Sequence, residues 1–473
     1  MWNELFSEEF WEQLILHKNN GIEWGDERMN VRIDIPEDVK FIINTLINNG
    51  YEAYIVGGCV RDSILQKHPK DWDITTKANP EEVIKLFDKV ILTGLKHGTV
   101  TVMINKEAYE VTTYRTDGEY EDNRHPKEVK FVSSLKEDLA RRDFTINAMA
   151  YNEKDGLVDY FGGIQDLNNE IIKTVGEPKK RFNEDALRML RAIRFSAQLD
   201  FNIDENVLVT IKVLKDNIKN ISKERIREEF NKTLISNPRK IEILKQCKIL
   251  EYIIPGINKL YNFKQNNSYH IYDLYNHTLV ATEAIEPILH LRLTMMLHDF
   301  GKVKTKTTDE SGISHYYDHA RESVEIAQSI LRWLKYDSDT INKVLILIKY
   351  HDSTLKSKLS VKRMLNKIGE DFLKDLIKVK RADILAQNPI YAKERLLNLI
   401  NVESKLDLII TQNECFNLKD LNINGGDLIN LGFNKGKEIG ETLNYLLELV
   451  IQKPKLNEKE ELINIAKKIK FDK

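Results

Sequence analysis

Two kinds of periodicity divide this chain, and the point where one gives way to the other restricts its fold more than any other feature. Between residue 51 and about residue 160, apolar or alternating runs (AYIVGG, DWDITT, TVTVMI, AYEVTTY) are separated by brief helical patterns such as VRDSILQ and NPEEVIKLF. In the last of these Asn79 stands as N-cap with Pro80 after it. After about Lys173 the strand signals cease and helical spacing runs to the C-terminus. The pattern predicts an α+β chain, a mixed α/β head on an all-helical body. The helix EDVKFIINTLIN, with Pro36 at its start and Gly50 as its stop, leads into the head.

A chain of 473 residues, 42% hydrophobic and 30% charged, can bury substantial cores and is expected to form roughly three domains. Its 71 Lys+Arg against 73 Asp+Glu leave a net charge of -2, so a nucleic-acid-binding surface would have to be a local patch. Cys59, Cys247 and Cys415 lie far apart without metal-knuckle spacing, which fits a reducing compartment and makes the cytoplasm the expected location. No run approaches the roughly 20 apolar residues of a membrane span. The opening MWNELFSEEFWEQL is acidic where a signal peptide is basic; Trp2, Phe6, Phe10 and Leu14 recur at near-helical spacing, which predicts an amphipathic helix in an N-terminal extension.

Asp71 and Asp73 flank Trp72, and on a strand residues i and i+2 share a face, so the two carboxylates would converge while Trp72 and Ile74 point inward. Paired carboxylates repel unless a divalent cation takes oxygens from both, although two solvated acids on an edge strand would look the same. Gly57 and Gly58 end the preceding strand and would leave backbone N–H groups, with Arg61, where a triphosphate could sit. Glu110 is the candidate third carboxylate, or else an exposed strand residue. Two cations aligning a triphosphate for attack by a hydroxyl is the nucleotidyl-transfer arrangement.

YIVGGCVRD, KDWDITT, RRDFTINAMAY, DYFGGIQDL, RFNEDALRMLRAIRF and RIREEF resemble, in order, the motifs of the bacterial class II CCA-adding tRNA nucleotidyltransferases and the related poly(A) polymerases. The resemblance runs from about Asp38 to Lys232, with weaker similarity beyond. It implies a polymerase-β-like head (residues 37–172), a neck (173–235), a helical body (236–400) and a tRNA-binding tail (401–473), with residues 1–36 as an extension. It also implies Mg²⁺ on Asp71 and Asp73, CTP and ATP as substrates and tRNA as partner. Arg141, Arg142, Asp143 and Asn147 would contact triphosphate and ribose. Asp159, with Gly162 and Gly163, would be a hinge. The polar segment RTDGEYEDNRHPKEVKF resembles the flexible loop that accompanies the switch from C to A addition.

In the neck, Asn183 is expected to cap a helix that buries Leu187, Leu190 and Ala197 and presents Asp185, Arg188 and Arg191 on its other face. One reading is a surface i, i+3 ion pair, worth about 0.2–0.5 kcal/mol. The other is a protein template. An acceptor beside a fork of donors complements C and A, which offer an amine next to a ring nitrogen, and rejects U and G. Asp185 and Arg188 match the family's pairing residues.

In the body, His298 and Asp299 are adjacent in LHDFGK, with His277 before and Asp383 after. A lone helical histidine is usually a packed core residue. This set resembles the ligands of the HD phosphohydrolase fold and implies a divalent metal (Mg²⁺, Mn²⁺ or Ni²⁺), with His315, His319 and His351 as further candidates and Lys302 either meeting a phosphate or solvated. In the tail, the glycines of INGGDLINLGFNKGKEIGETLNYLLELV precede two short helices whose N-termini could meet phosphates or simply be capped. The rival readings are a poly(A) polymerase or A-adding enzyme and, from another class, an RNA end-healing HD phosphohydrolase or RNA-binding protein with an inert head. No membrane association is expected, and the sequence does not disclose oligomeric state.

Overall fold

The computed structural model describes residues 31–117 and 129–471. The amphipathic helix expected around Trp2–Leu14 and most of the loop between Arg115 and Phe131 lie outside the described residues. The chain divides into two compact units: residues 1–115, 131–139 and 147–161, and residues 116–130, 140–146 and 162–473. It passes for the last time from the first to the second at Phe161–Gly162.

The first unit is built on β1 (Ala53–Val56), β2 (Ile74–Thr76), β3 (Val90–Gly94), β4 (Thr99–Ile104), β5 (Glu107–Thr113), β8 (Met149–Asn152) and β9 (Gly156–Asp159), in the spatial order β3-β4-β5-β2-β1-β8-β9. Arg115–Asp117 (β6) and Val129–Phe131 (β7) pair as a separate two-stranded ribbon. Within the seven-stranded sheet β2 and β5 run parallel and the other pairs antiparallel, as expected of a mixed sheet. Central β1 is buried at all four positions, so AYIV reads as an unbroken apolar run. Helix Glu37–Asn48 buries Val39, Ile42, Ile43 and Leu46, the i, i+3, i+4, i+7 stripe of its sequence. Each such side chain contributes roughly 1.5–3 kcal/mol when fully buried.

The second unit is helical. Leu187–Leu199 packs against Lys223–Ser236, and Lys358–Leu385, kinked at Gly369 (φ 79°), packs against Pro389–Thr411. One core gathers Leu291, Met295, Leu347, Leu376 and Leu406, and another, in the tail, gathers Leu428, Leu446, Val450 and Leu462.

Several local expectations change. The second strand starts at Ile74 and not at Asp71, so the DWD residues precede it, with Asp73 O accepting from Val56 N. Asn183 lies inside helix Pro178–Glu184 and caps nothing; the next helix begins at Leu187. Strand pairing does not end at Lys173: Ile171–Ile172 pairs with Asn202–Ile203, and Thr307–Thr308 with Ser314–His315, in ladders too short to show a period. In the tail, Asn424 caps its helix by accepting from the N–H groups of Gly426 and Asp427, so capping is what the structure displays there.

Candidate active site and metal centre

The turn after β1 needs glycine: Gly57 has φ 84° and ψ -129°, a conformation closed to other residues. Its N–H is not available to a ligand as expected, because it donates to Met149 O of β8 at 3.2 Å. Gly58 opens the helix Gly58–Ile64, and Arg61 folds back over it. Arg61 is buried, with Nη1 2.6 Å from Asn147 Oδ1 and Nε 2.8 Å from Asp62 Oδ1. Two residues expected at the nucleotide, Arg61 and Asn147, are thus brought together.

Val56 N donates to Asp73 O at 3.0 Å and Ile55 sits opposite Ile74, which fixes the register of the DWD segment. Ile74 is in the core, Trp72 is half-buried, and Asp71 and Asp73 are exposed. Ile74 pairs with Val111 across the parallel β2–β5 ladder, so Glu110, also exposed, follows the same register as Asp73 and shares its face. Neighbouring Cys59 is no rival nucleophile: burial, reinforced by the charge of Asp73, pushes its thiol up to about 11. Hard carboxylate oxygens on an exposed strand end suit Mg²⁺, which keeps several waters.

In the second unit the two readings of the neck separate. Asp185 does not pair with Arg188. Its Oδ2 lies 2.8 Å from Arg225 Nη2, and its Oδ1 accepts from Leu187 N at 3.0 Å. Arg188, buried, reaches Glu184 at 2.5 Å, Arg181 O at 3.2 Å and Arg141 O at 3.0 Å. Arg191 pairs with Asp143 at 2.5 Å and covers the Phe195 ring. Arg142 is half-buried. Leu187, Leu190 and Ala197 are buried. Arg225 lies in the RIREEF motif, and nothing in local spacing signals it as the partner of Asp185.

The body brings His277, His298, Asp299 and Asp383 together, with one ligand atom from each lying within 4.8 Å of the others; Asp299, His319 and His351 form a second such group. Among the described residues these are the groups of three or more metal-type side chains gathered this closely. His315 is not one of them: it pairs with Asp309 at 2.8 Å and stacks on Tyr317. Lys302 is neither solvated nor free for phosphate. It is buried, 2.7 Å from Asp299 Oδ2 and 3.0 Å from Gln265 Oε1.

Every ring in the two groups is oriented alike. The Nδ1 atoms of His277, His298, His319 and His351 lie 2.7–3.1 Å from the carbonyls of Ala386, Met295, Tyr316 and Ile348. A carbonyl can only accept, so each Nδ1 carries the hydrogen and each Nε2 turns inward. His277 Nε2 and His298 Nε2 face Asp383 and Asp299 at 3.1–3.6 Å, and both atoms are buried without a hydrogen bond. Burial lowers both imidazoles, and the facing carboxylates outweigh it, lifting His277 above its ordinary value and His298 to about 10. Burial likewise raises Asp299 and Asp383; the charges of His298 and Lys302 hold Asp299, and the close imidazoles of His277 and His298 hold Asp383, well below the usual carboxylate range. This donor set fits a divalent cation. His270, which the sequence reading overlooked, stands edge-on to His277 at 4.9 Å, and burial takes it down to about 3. A cavity of about 740 Å³ opens beside these groups, lined among others by His270, Lys302, Lys356 and Arg395.

A strand-end carboxylate pair behind a glycine turn, on a mixed sheet followed by helices, defines the nucleotidyltransferase class, and residues 53–173 match the family model of the Poly A polymerase head domain. Residues 200–260 match that of the RNA and SrmB-binding site of polymerase A, and residues 304–466 that of tRNA nucleotidyltransferase domain 2. The CCA-adding enzyme of Ligilactobacillus salivarius (strain UCC118) is 34% identical over 92% of this chain and 98% of its own length. That of Lactobacillus helveticus (strain DPC 4571) is 56% identical over 40% of this chain, a match spanning 48% of the relative. The crystal structure of the Bacillus stearothermophilus CCA-adding enzyme in complex with CTP superposes with a TM-score of 0.68 at 27% identity, covering 92% of this chain and 97% of that one. The chain belongs to the family of CCA-adding enzymes, which are tRNA nucleotidyltransferases. No helix among the described residues is long and apolar enough to cross a membrane.

Proposed function

We propose that this chain completes tRNA 3′ ends by adding C, C and A from CTP and ATP without a nucleic-acid template. The observation that carries the proposal is the likeness to a CCA-adding enzyme along nearly the whole of both chains. In each cycle the tRNA 3′-oxygen bonds to the α-phosphorus, the bond to the β-phosphate bridging oxygen breaks, pyrophosphate leaves, and the hydroxyl proton passes to solvent. Asp71 and Asp73, with Glu110 beside them, would hold Mg²⁺, which when bound neutralises triphosphate charge and favours the ionised hydroxyl. Arg61, Arg142, Asp143 and Asn147 hold triphosphate and ribose, the Gly57–Gly58 turn lets the chain come close, and Asp185 with Arg188 reads the base edge, Arg191 steadying the same helix face. The test is extension of tRNAs ending before C, CC and CCA, with each nucleotide singly and in pairs. Stepwise C, C, A with arrest supports the proposal; A tracts, or A addition alone, would establish the poly(A) polymerase or A-adding reading instead.

The orientation of the four buried rings favours a second reading for the body: His277, His298, Asp299 and Asp383 hold a divalent metal of the HD type, which when bound activates water toward a phosphoester. Lys356 and Arg395 offer positive charge at the adjoining cavity. Metal content after dialysis against Mn²⁺ or Ni²⁺, compared with an Asp383→Asn variant, tests it. The working compartment is the cytoplasm.

A further inference from the structure

Helix Pro389–Thr411 packs against Lys358–Leu385 and buries Leu399, Val402, Leu406 and Ile409 in the body core. Its other side is not polar. Ile390, Leu397, Ile400 and Leu408 are 80, 55, 52 and 48% exposed. At 3.6 residues per turn these four fall within about 80° of the helix circumference, centred opposite the buried four. A surface helix ordinarily turns polar and charged residues to solvent, and one that is apolar on both sides has a second surface to cover. No element among the described residues covers this one.

Two charges in the stripe indicate what fits it. Lys393 and Asp407 stand seven residues before and seven after Ile400, two heptads apart and so on nearly the same side of the helix. Both are exposed, and neither is ion-paired within the chain among the described residues. We propose that the stripe is an interface between two copies of this chain, with their Pro389–Thr411 helices antiparallel about a twofold axis at Ile400. That arrangement sets Ile400 against Ile400 of the second copy, lays Leu397 beside the small Ser404, and brings Lys393 opposite Asp407 twice. A parallel pair would set lysine on lysine and aspartate on aspartate, which opposes association. One self-complementary patch serving both copies is the ordinary form of a twofold contact. The helix has 23 residues and is about 34 Å long. Two such surfaces laid together reach about 1,200 Å², the lower end of a specific interface, so the dimer is reversible, with a Kd of about 1–100 µM. Tyr391, Arg395 and Asn398, which line the cavity of the body, lie on another side of the helix, so association leaves the cavity open.

Sedimentation velocity of the full chain between about 1 and 200 µM tests the pairing. A concentration-dependent equilibrium of monomer and dimer is expected. Leu397→Asp should weaken it at least about tenfold, and so should Lys393→Asp or Asp407→Lys, each of which sets like charges across the axis. The double variant Lys393→Asp/Asp407→Lys restores opposite charges and should recover most of the parent's affinity. The three substituted residues are exposed, so thermal unfolding should stay close to the parent's. A chain still monomeric at about 200 µM overturns the inference, as does one that uses Leu397 to bind lipid vesicles or tRNA while remaining monomeric. A dimer indifferent to Leu397→Asp is held by another surface, and a dimer that the charge exchange does not restore is not antiparallel about Ile400; either result overturns it too.

Discussion

Asp185 is held by Arg225, 2.8 Å away and 40 residues along the chain, and not by Arg188, three residues along. The helix-surface ion pair that i, i+3 spacing suggests is therefore absent, and Arg188 places three of the five N–H donors of a guanidinium on Glu184 and two carbonyls. A carboxylate positioned by a distant guanidinium and its own turn has a fixed direction, which a base-reading acceptor needs.

If Asp185 reads the amine of C and A, Asp185→Ala should keep addition but lower discrimination against UTP and GTP by roughly tenfold or more. Arg225→Ala should act through Asp185, raising KM for CTP and ATP more than it lowers kcat, and Arg225→Lys should recover only part. Misincorporation counts on a CCA-less tRNA give the answer; unchanged selectivity in both variants would remove Asp185 from the template.

Asp73 is exposed, so Asp73→Ala should leave thermal stability within about 0.5 kcal/mol of the parent. Addition to every tRNA end should fall by at least about 10²-fold. Melting curves and single-turnover extension check the two halves, and a loss of only a few-fold would exclude Asp73 as a metal ligand.

Gly301 follows the His-Asp pair by two residues and meets the start of helix His319–Trp333. A Cβ there would lie 2.1 Å from His319 O and 2.7 Å from Ser323 N, both backbone atoms that cannot swing aside. Gly301→Ala should cost about 3 kcal/mol or more, read as a fall in Tm, and should loosen the ligand geometry with it. Its φ is ordinary, so close approach alone requires the glycine.

Asp383→Asn preserves shape while removing a charge from the body cluster. Mn²⁺ retention by the body should weaken, whereas tRNA extension should stay within about twofold of the parent, because the nucleotidyl-transfer motifs end by Lys232. Collapse of extension in a folded Asp383→Asn protein would show that the two activities are coupled.

Lys362, 2% exposed, is ion-paired with Glu414, which Lys358 also contacts. Glu414→Gln strands the lysine charge and should cost about 3–5 kcal/mol, with Lys362→Met recovering much of the loss in the double variant. Burial raises the Glu414 carboxyl, but the two lysines bring it below its ordinary 4.5. A lowered folded pKa stabilises above the unfolded value, so this contribution should be complete above about pH 4.5 and lost as pH falls through the folded value. Denaturation midpoints across that window should shift less in the double variant than in the parent.

Period-two alternation predicts the order found at Asp71, Trp72 and Asp73, two exposed carboxylates either side of a half-buried ring, whereas Glu110 is set beside Asp73 by the pairing of Ile74 with Val111. Alternation could not foresee that the strand begins only at Ile74, which depends on the ends of β1 and β5. Asn183 was misread because a short helix ending at Glu184 and a second one starting at Leu187 together show one continuous apolar period. His315 differs from His319 in one respect that spacing cannot reveal: it lies in a two-residue ladder that turns it toward Asp309. Arg225 was hidden because its partner is fixed by how helices pack, which no local pattern encodes.

Three of the four rings that turn Nε2 inward take their orienting carbonyl from three residues upstream: Met295 for His298, Tyr316 for His319, Ile348 for His351. Their aim is a property of four consecutive residues each, so insertions between these segments would alter their reach and leave their direction alone. His277 alone is indexed to a distant point, Ala386, just past the end of Lys358–Leu385. Fraying at that helix end would turn one ring while three stayed aimed, so the cluster would be detuned in degrees before it was dismantled.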